Sequence, residues 1–160
     1  MIVRAAMACD HAAIARLVTA AFGRQVESII VDRVRAAGEA FVELVAETDG
    51  EIVGHVLFSR MRCQPPMSAA GLGPLAVSPA FQGRGIGSEL TRRGLDACRE
   101  RGALACVVLG APSFYGRFGF TSAGQAIRSP YAHLPAFQAL DFDGVSLGRF
   151  IAVDYPDAFS

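Results

Sequence analysis

The chain has 160 residues, 52% of them apolar and 19% charged, which fits one globular domain whose core needs no disulfide or metal staple. Acidic and basic side chains number 15 each, so nucleic-acid binding through bulk charge is excluded. Every basic residue is arginine, and the absence of lysine removes Schiff-base chemistry and any standard P-loop.

Residues 2–6 predict a short edge strand. Asp10 is placed to cap a helix over about 10–22, in which Ile14, Leu17, Val18 and Phe22 keep helical spacing and Gly23 ends the run. A second helix follows, with Val26, Ile29, Ile30 and Val34 on one face and Gly38 as its stop. Two strands come next, 41–48 and 51–63, joined at Asp49-Gly50, a strong hairpin signal. After a loop at 64–68, residues 72–77 predict a strand interrupted by Gly73-Pro74, the sign of a bulge or an unpaired stretch.

A helix is expected from about Ile86 to Arg101, with Gly94 in its apolar stripe allowing a close approach to a sheet. Residues 103–109 are nearly all apolar, as in a strand covered on both faces. A helical turn over 113–118 and strands at 136–142 and 149–154 complete the order. The expectation is a single domain over 1–160 with a mixed α/β (α+β) fold. Its centre is a mostly antiparallel twisted sheet of six to seven strands with helices on both faces.

The four cysteines, Cys9, Cys63, Cys98 and Cys106, form no C-x-x-C pair, which predicts reduced thiols and a cytoplasmic protein. Residues 1–6 lack a basic region followed by an apolar run, so no signal peptide is expected, and no apolar run approaches a membrane span. Cys9-Asp10-His11 falls short of a metal site, and no metal is expected. Arg92, Arg93, Arg99 and Arg101 are interleaved with Glu89, Asp96 and Glu100, which describes a solvated helix face.

Gln82-Gly83-Arg84-Gly85-Ile86-Gly87-Ser88 carries the chemistry. Glycines let a backbone turn tightly toward a phosphate, and the helix that follows offers unpaired N–H groups and the positive end of its dipole. Gln82 and Arg84 add side-chain donors, a combination suited to a pyrophosphate. The dinucleotide fingerprint G-x-G-x-x-G fails because position 88 is serine.

Q/R-x-x-G-x-G/A at a helix start is the signature of the GNAT-type N-acetyltransferases, and residues 75–88 resemble that region throughout. Phe114-Tyr115-Gly116-Arg117-Phe118-Gly119-Phe120 is similar to the family's second landmark. Leu-Gly-Pro-Leu-Ala-Val at 72–77 and Tyr-Pro-Asp-Ala-Phe at 155–159 resemble a bacterial single-domain subgroup.

The resemblance implies a V-shaped splay between the strands at 72–78 and 103–109, in which the pantetheine arm of acetyl-CoA pairs with the backbone of Leu75, Ala76 and Val77. It implies an N–H near Val77 that polarises the acetyl carbonyl, and pyrophosphate binding by Gln82, Gly83, Arg84, Gly85, Ile86, Gly87 and Ser88. Ser113, Phe114 and Phe118 would line the sulfur end, with Tyr115 as general acid. The implied activity is acetyl transfer to an amine of a small molecule or protein by a monomer or homodimer. The strand glutamate that often serves as base is absent from 69–77, which leaves Glu27, as substrate contact or base, and His55 as candidates. A silent acyl-CoA-binding module is the alternative that this absence keeps open.

Overall fold

The computed structural model describes residues 1–122, 127–144 and 151–160. Its strands are β1 (Ile2–Ala5), β2 (Ala40–Thr48), β3 (Glu51–Arg60), β4 (Arg62–Gln64), β5 (Ala69–Val77), β6 (Ala105–Leu109), β7 (Thr121–Ser122), β8 (Ile127–Arg128), β9 (Phe137–Asp141) and β10 (Ile151–Asp154). Its helices are α1 (His11–Phe22), α2 (Val26–Ala36), α3 (Ile86–Glu100) and α4 (Pro112–Tyr115), joined by short 3-10 turns. Seven strands form one twisted sheet in the order β1-β2-β3-β5-β6-β9-β7. Every pairing in it is antiparallel except β5 with β6. A second sheet has the order β4-β10-β8.

Strand alternation decides what each face covers. Ile14 and Val18 of α1 meet Val45 and Ala76, and Val31 and Val34 of α2 meet Leu57. On the opposite face, α3 lies on Gly54 and Phe58. A Cβ on Gly54 would stand 2.8 Å from Leu90 Cδ1, and one on Gly94 would stand 2.1 Å from Phe58 Cε2. These two glycines set the depth at which α3 sits. In β6, Cys106 and Val108 point into the α3 core while Ala105 and Val107 point toward the second sheet. Helices on both faces and a mostly antiparallel sheet agree with the expected fold.

Local signals also hold. Asp49 and Gly50 both take positive φ (51° and 77°), as a two-residue hairpin of the favoured twist requires. Gly23 closes α1 at φ 70°, its N–H on Thr19 O at 2.8 Å. Asp10 differs from expectation. Its side chain does not cap α1; it accepts the Met7 N–H at 2.8 Å and Arg4 at 2.7 and 3.0 Å, fixing the turn before the helix.

The expected long strand over 51–63 is two strands. Met61 leaves the β3 line, gives its N–H to Ala69 O at 3.0 Å and lays its sulfur over Gly71. The chain then enters β4, which pairs with β10. Strands β7 and β8, two residues each, are too short for a periodicity to register. Residues 149 and 150 of the strand expected at 149–154 lie outside the described residues.

The pairing of β5 with β6 runs from Ala69↔Ala105 to Leu72↔Val108 and stops, although β5 continues to Val77. On its other edge Val56 pairs with Leu75 and Phe58 with Leu72, so Gly73 and Pro74 together face Leu57 alone. That is the expected bulge. Gly73 has φ +138°, open to glycine, and Pro74 has no N–H to give a neighbour. The two strands therefore splay apart at Gly73.

Gly94→Ala should destabilise the protein by about 1–3 kcal/mol, because the clash with fully buried Phe58 outweighs a helix-propensity gain of at most about 1 kcal/mol. The midpoint of urea unfolding measures it; an unchanged or raised midpoint would show that α3 is free to lift.

Candidate active site

The open end of β5 leads into the glycine segment. The Ser78 N–H goes to Val53 O at 2.8 Å, a 3-10 turn follows over Pro79–Phe81, and Gln82 Nε2 donates to Val77 O at 3.1 Å. Gly83 and Gly85 have φ of 77° and 82°. A Cβ at either would meet nothing within 4 Å, so glycine is required there for conformation and not for space. No side chain among the described residues caps α3, and the Glu89 N–H on Gly85 O at 3.0 Å is the first bond of its ladder. The N–H groups of Ile86, Gly87 and Ser88 thus lack intrahelical acceptors at the positive end of the dipole. Arg84 stacks over Phe81 at 5.1 Å.

A residue not singled out in the sequence joins the two landmarks. Arg117 donates to Ser88 Oγ at 3.0 Å and lies over the rings of Phe114 (4.9 Å) and Phe118 (5.5 Å). Its position between Gly116 and Phe118 within the aromatic landmark was the available signal.

Between the splayed strands lies a cavity of ≈ 650 Å³. Leu72, Gly73, Pro74 and Leu75 form one wall; Leu109, Gly110, Ala111, Phe114 and Tyr115 form the other. The α1–α2 corner contributes Phe22, Arg24, Glu27 and Ile30, and Tyr131, Tyr155 and Phe159 close the far side. Tyr115 is buried edge-on against Phe114 (4.8 Å) and Phe120 (5.8 Å). Its ring lies on Gly110, where a Cβ would come within 2.3 Å of Cε2. Burial, with a smaller contribution from Cys106, pushes the phenol up to about 12, so it is protonated at neutral pH.

Of the residues singled out in the sequence, the cavity gathers Leu75, Phe114, Tyr115 and Glu27. Ser113 is exposed and Phe118 packs on Phe114, and neither lines the cavity. Glu27 is buried and accepts Arg24 Nε at 2.8 and 3.1 Å; that hydrogen bond holds its carboxyl below the usual range. His55 is fully buried outside the cavity lining, with Nε2 2.8 Å from Glu43 Oε1 and Nδ1 without a partner among the described residues. Burial lowers its pKa against the pull of Glu43, so the imidazole is neutral. Glu43 sits at about 2: burial raises it, and hydrogen bonds from His55 and Arg35 outweigh that.

A profile of the acetyltransferase (GNAT) family matches residues 11–120. The chain belongs to the GNAT acetyltransferase family. It is 35% identical over 125 residues to the uncharacterized N-acetyltransferase YhbS of Escherichia coli K12, covering 77% of this chain and 75% of that one. The crystal structure of E. coli YhbS with CoA superposes with a TM-score of 0.91 at 32% identity, over 99% of this chain and 91% of that one. A GNAT acetyltransferase from Brucella melitensis with acetyl-CoA gives 0.86 at 38% identity, over 99% and 97%. The GNAT match takes in the glycine segment and Tyr115, while Tyr131, Tyr155 and Phe159 lie beyond it.

Tyr115 gives a direct titration. Its folded pKa is raised from 10.0 to about 12, so the stability it contributes is complete below pH 10 and is lost as pH rises through about 12. The 295 nm phenolate signal of the native protein minus that of Tyr115→Phe should have its midpoint near pH 12. A midpoint near 10 would place the phenol in water.

Proposed function

We propose that this GNAT protein transfers the acetyl group of acetyl-CoA to a primary amine of a small molecule or protein, by direct attack in a ternary complex. The observation that carries the reading is the end of β5–β6 pairing at Leu72, beside a glycine turn that opens α3. CoA and acetyl-CoA in the two similar crystal structures support the same cofactor here.

Ser78 turns its N–H toward β3, so by strand alternation Ala76 does the same, while Leu75 and Val77 turn theirs toward the gap. Those N–H groups are the ones positioned to pair with the pantetheine amides and to polarise the acetyl carbonyl. Ala76 contributes its place in the strand and not a free backbone donor. The amides of Gly83, Arg84, Gly85, Ile86, Gly87 and Ser88 receive the pyrophosphate, with the Arg84 guanidinium alongside. Gln82 ties the strand end to the loop through Val77 O, and its second Nε2 hydrogen still serves the pyrophosphate. Arg117 holds Ser88 against α4.

In the reaction a neutral amine forms the new C–N bond, the C–S bond breaks, and the amine's proton ends on the CoA sulfur. Tyr115 gives its proton to the departing thiolate and is reprotonated from the amine nitrogen. Glu27, kept ionised by its pairing with Arg24, suits a hydrogen-bonding contact with the amine better than proton abstraction. The four cysteines are free thiols, which suits the reducing cytoplasm as the place of action.

Calorimetric titration with acetyl-CoA should show binding to the native protein and to Tyr115→Phe alike. Thiol release with an amine panel should fall roughly 10²–10⁴-fold in the variant. Tight binding with no turnover on any amine, and no effect of the substitution, would make the protein a CoA-binding module.

A further inference from the structure

Away from the two splayed strands and α4, the cavity lining is chemically uneven. The walls there are Phe22, Ile30, Tyr131, Tyr155 and Phe159. Among the described residues that line it, only Arg24 and Glu27 are charged, and they are paired with each other. Arg24 reaches into solvent, its side chain 65% exposed, while Glu27 is buried. No second carboxylate among those residues is left to receive further positive charge.

The far wall is built into the fold. Tyr155 lies over Gly71, where a Cβ would come within 3.2 Å of its ring, and packs against Tyr131 at 5.6 Å and Phe159 at 5.2 Å. Its buried hydroxyl has no hydrogen-bond partner among the described residues. Phe159 and Ala158 pack on Val31, Val34 and Leu57, and Asp157 pairs with Arg62 at 2.9 Å. The 155–159 segment is thereby clamped from two sides beside the reaction gap.

We infer that the acceptor is a small primary amine with a single positive charge on an apolar body, of aryl or alkyl type, seated against Phe22, Tyr155 and Phe159. The inference rests on the acetyl-transfer reading for the group that moves, and on the lining alone for the body that binds. Polyamines, aminoglycosides and lysine-rich peptides bring several charges, each of which needs a carboxylate or water. An aryl or alkyl body buries apolar surface against the rings and leaves one nitrogen to reach the thioester. The same surroundings disfavour an ammonium and so favour the neutral, nucleophilic amine.

The test is calorimetry of 2-phenylethylamine, hexylamine and spermidine on the full chain saturated with CoA. The two apolar amines should bind at least about tenfold more tightly than spermidine. Phe22→Ala, at a surface position, and Phe159→Ala should each weaken 2-phenylethylamine about five- to tenfold with CoA affinity unchanged, which also serves as the folding control. Spermidine binding as tightly as the apolar amines, or no effect of either substitution, would overturn the inference. Failure of CoA itself to bind would instead overturn the acetyl-transfer reading; the same three amines titrated into the chain alone would then still decide whether the cavity prefers a singly charged apolar amine.

Discussion

Two adjacent strands of a sheet ordinarily pair along their common length, because an unpaired backbone N–H or C=O inside a protein is costly. Strands β5 and β6 pair over only four positions, ending at Leu72 and Val108. Gly73 and Pro74 enforce the ending. Two residues oppose one on β3, the strand bends, and proline removes a donor. Everything else at the site follows from that separation: N–H groups of Leu75 and Val77 turned toward a gap, a cavity between the walls, and a strand end pointing at α3. Gly54 and Gly94 let α3 sit deep on the sheet and so fix where its positive end meets the open strand.

The chain has no net charge, yet the site is electrically divided. At one end are unpaired helix amides, Arg84 and Arg117; at the other are aromatic rings, a phenol and one internally paired carboxylate. A molecule with a pyrophosphate at one end and a thioester at the other fits this division. Arg117 joins the halves, since it holds Ser88 while its guanidinium stacks on Phe114. The anion-facing turn and the aromatic wall are therefore bridged by one guanidinium.

The legible parts of the sequence were those in which a local rule has one solution. Asp49-Gly50, Gly23, the Gly73-Pro74 bulge and the 83–87 turn each demand a particular backbone, and each has it. Non-local partners decided the rest. Nothing near Met61 signals that the chain leaves one sheet for another, because the cause is Ala69 O and the space above Gly71. Asp10 looked like a helix cap because Arg4, its true partner, belongs to a neighbouring strand. The bond from Gln82 to the Val77 carbonyl was not readable from the sequence, and the pairing of Glu27 with Arg24 became chemically telling only once both lined one cavity.

The absence of a carboxylate on β5 becomes intelligible in these terms. An ammonium of pKa about 10.4 held in water at pH 7 must lose its proton at a cost of about 4.6 kcal/mol before it can attack, at 1.36 kcal/mol per unit. A strand glutamate supplies an acceptor for that proton but leaves the cost in place. For the amine proposed above, surroundings built from Phe22, Tyr155, Phe159 and Phe114 select the neutral form from solution, because desolvation penalises the charged form, while the cost of deprotonation in water stays the same. Each unit by which the bound amine's pKa falls makes the neutral form tenfold more abundant relative to the ammonium among bound molecules, by weakening the binding of the ammonium. A buried, unpaired glutamate in the same place would work against this by stabilising the ammonium. Arg24 removes that conflict for Glu27, holding the buried carboxylate in an ion pair with a guanidinium that reaches solvent.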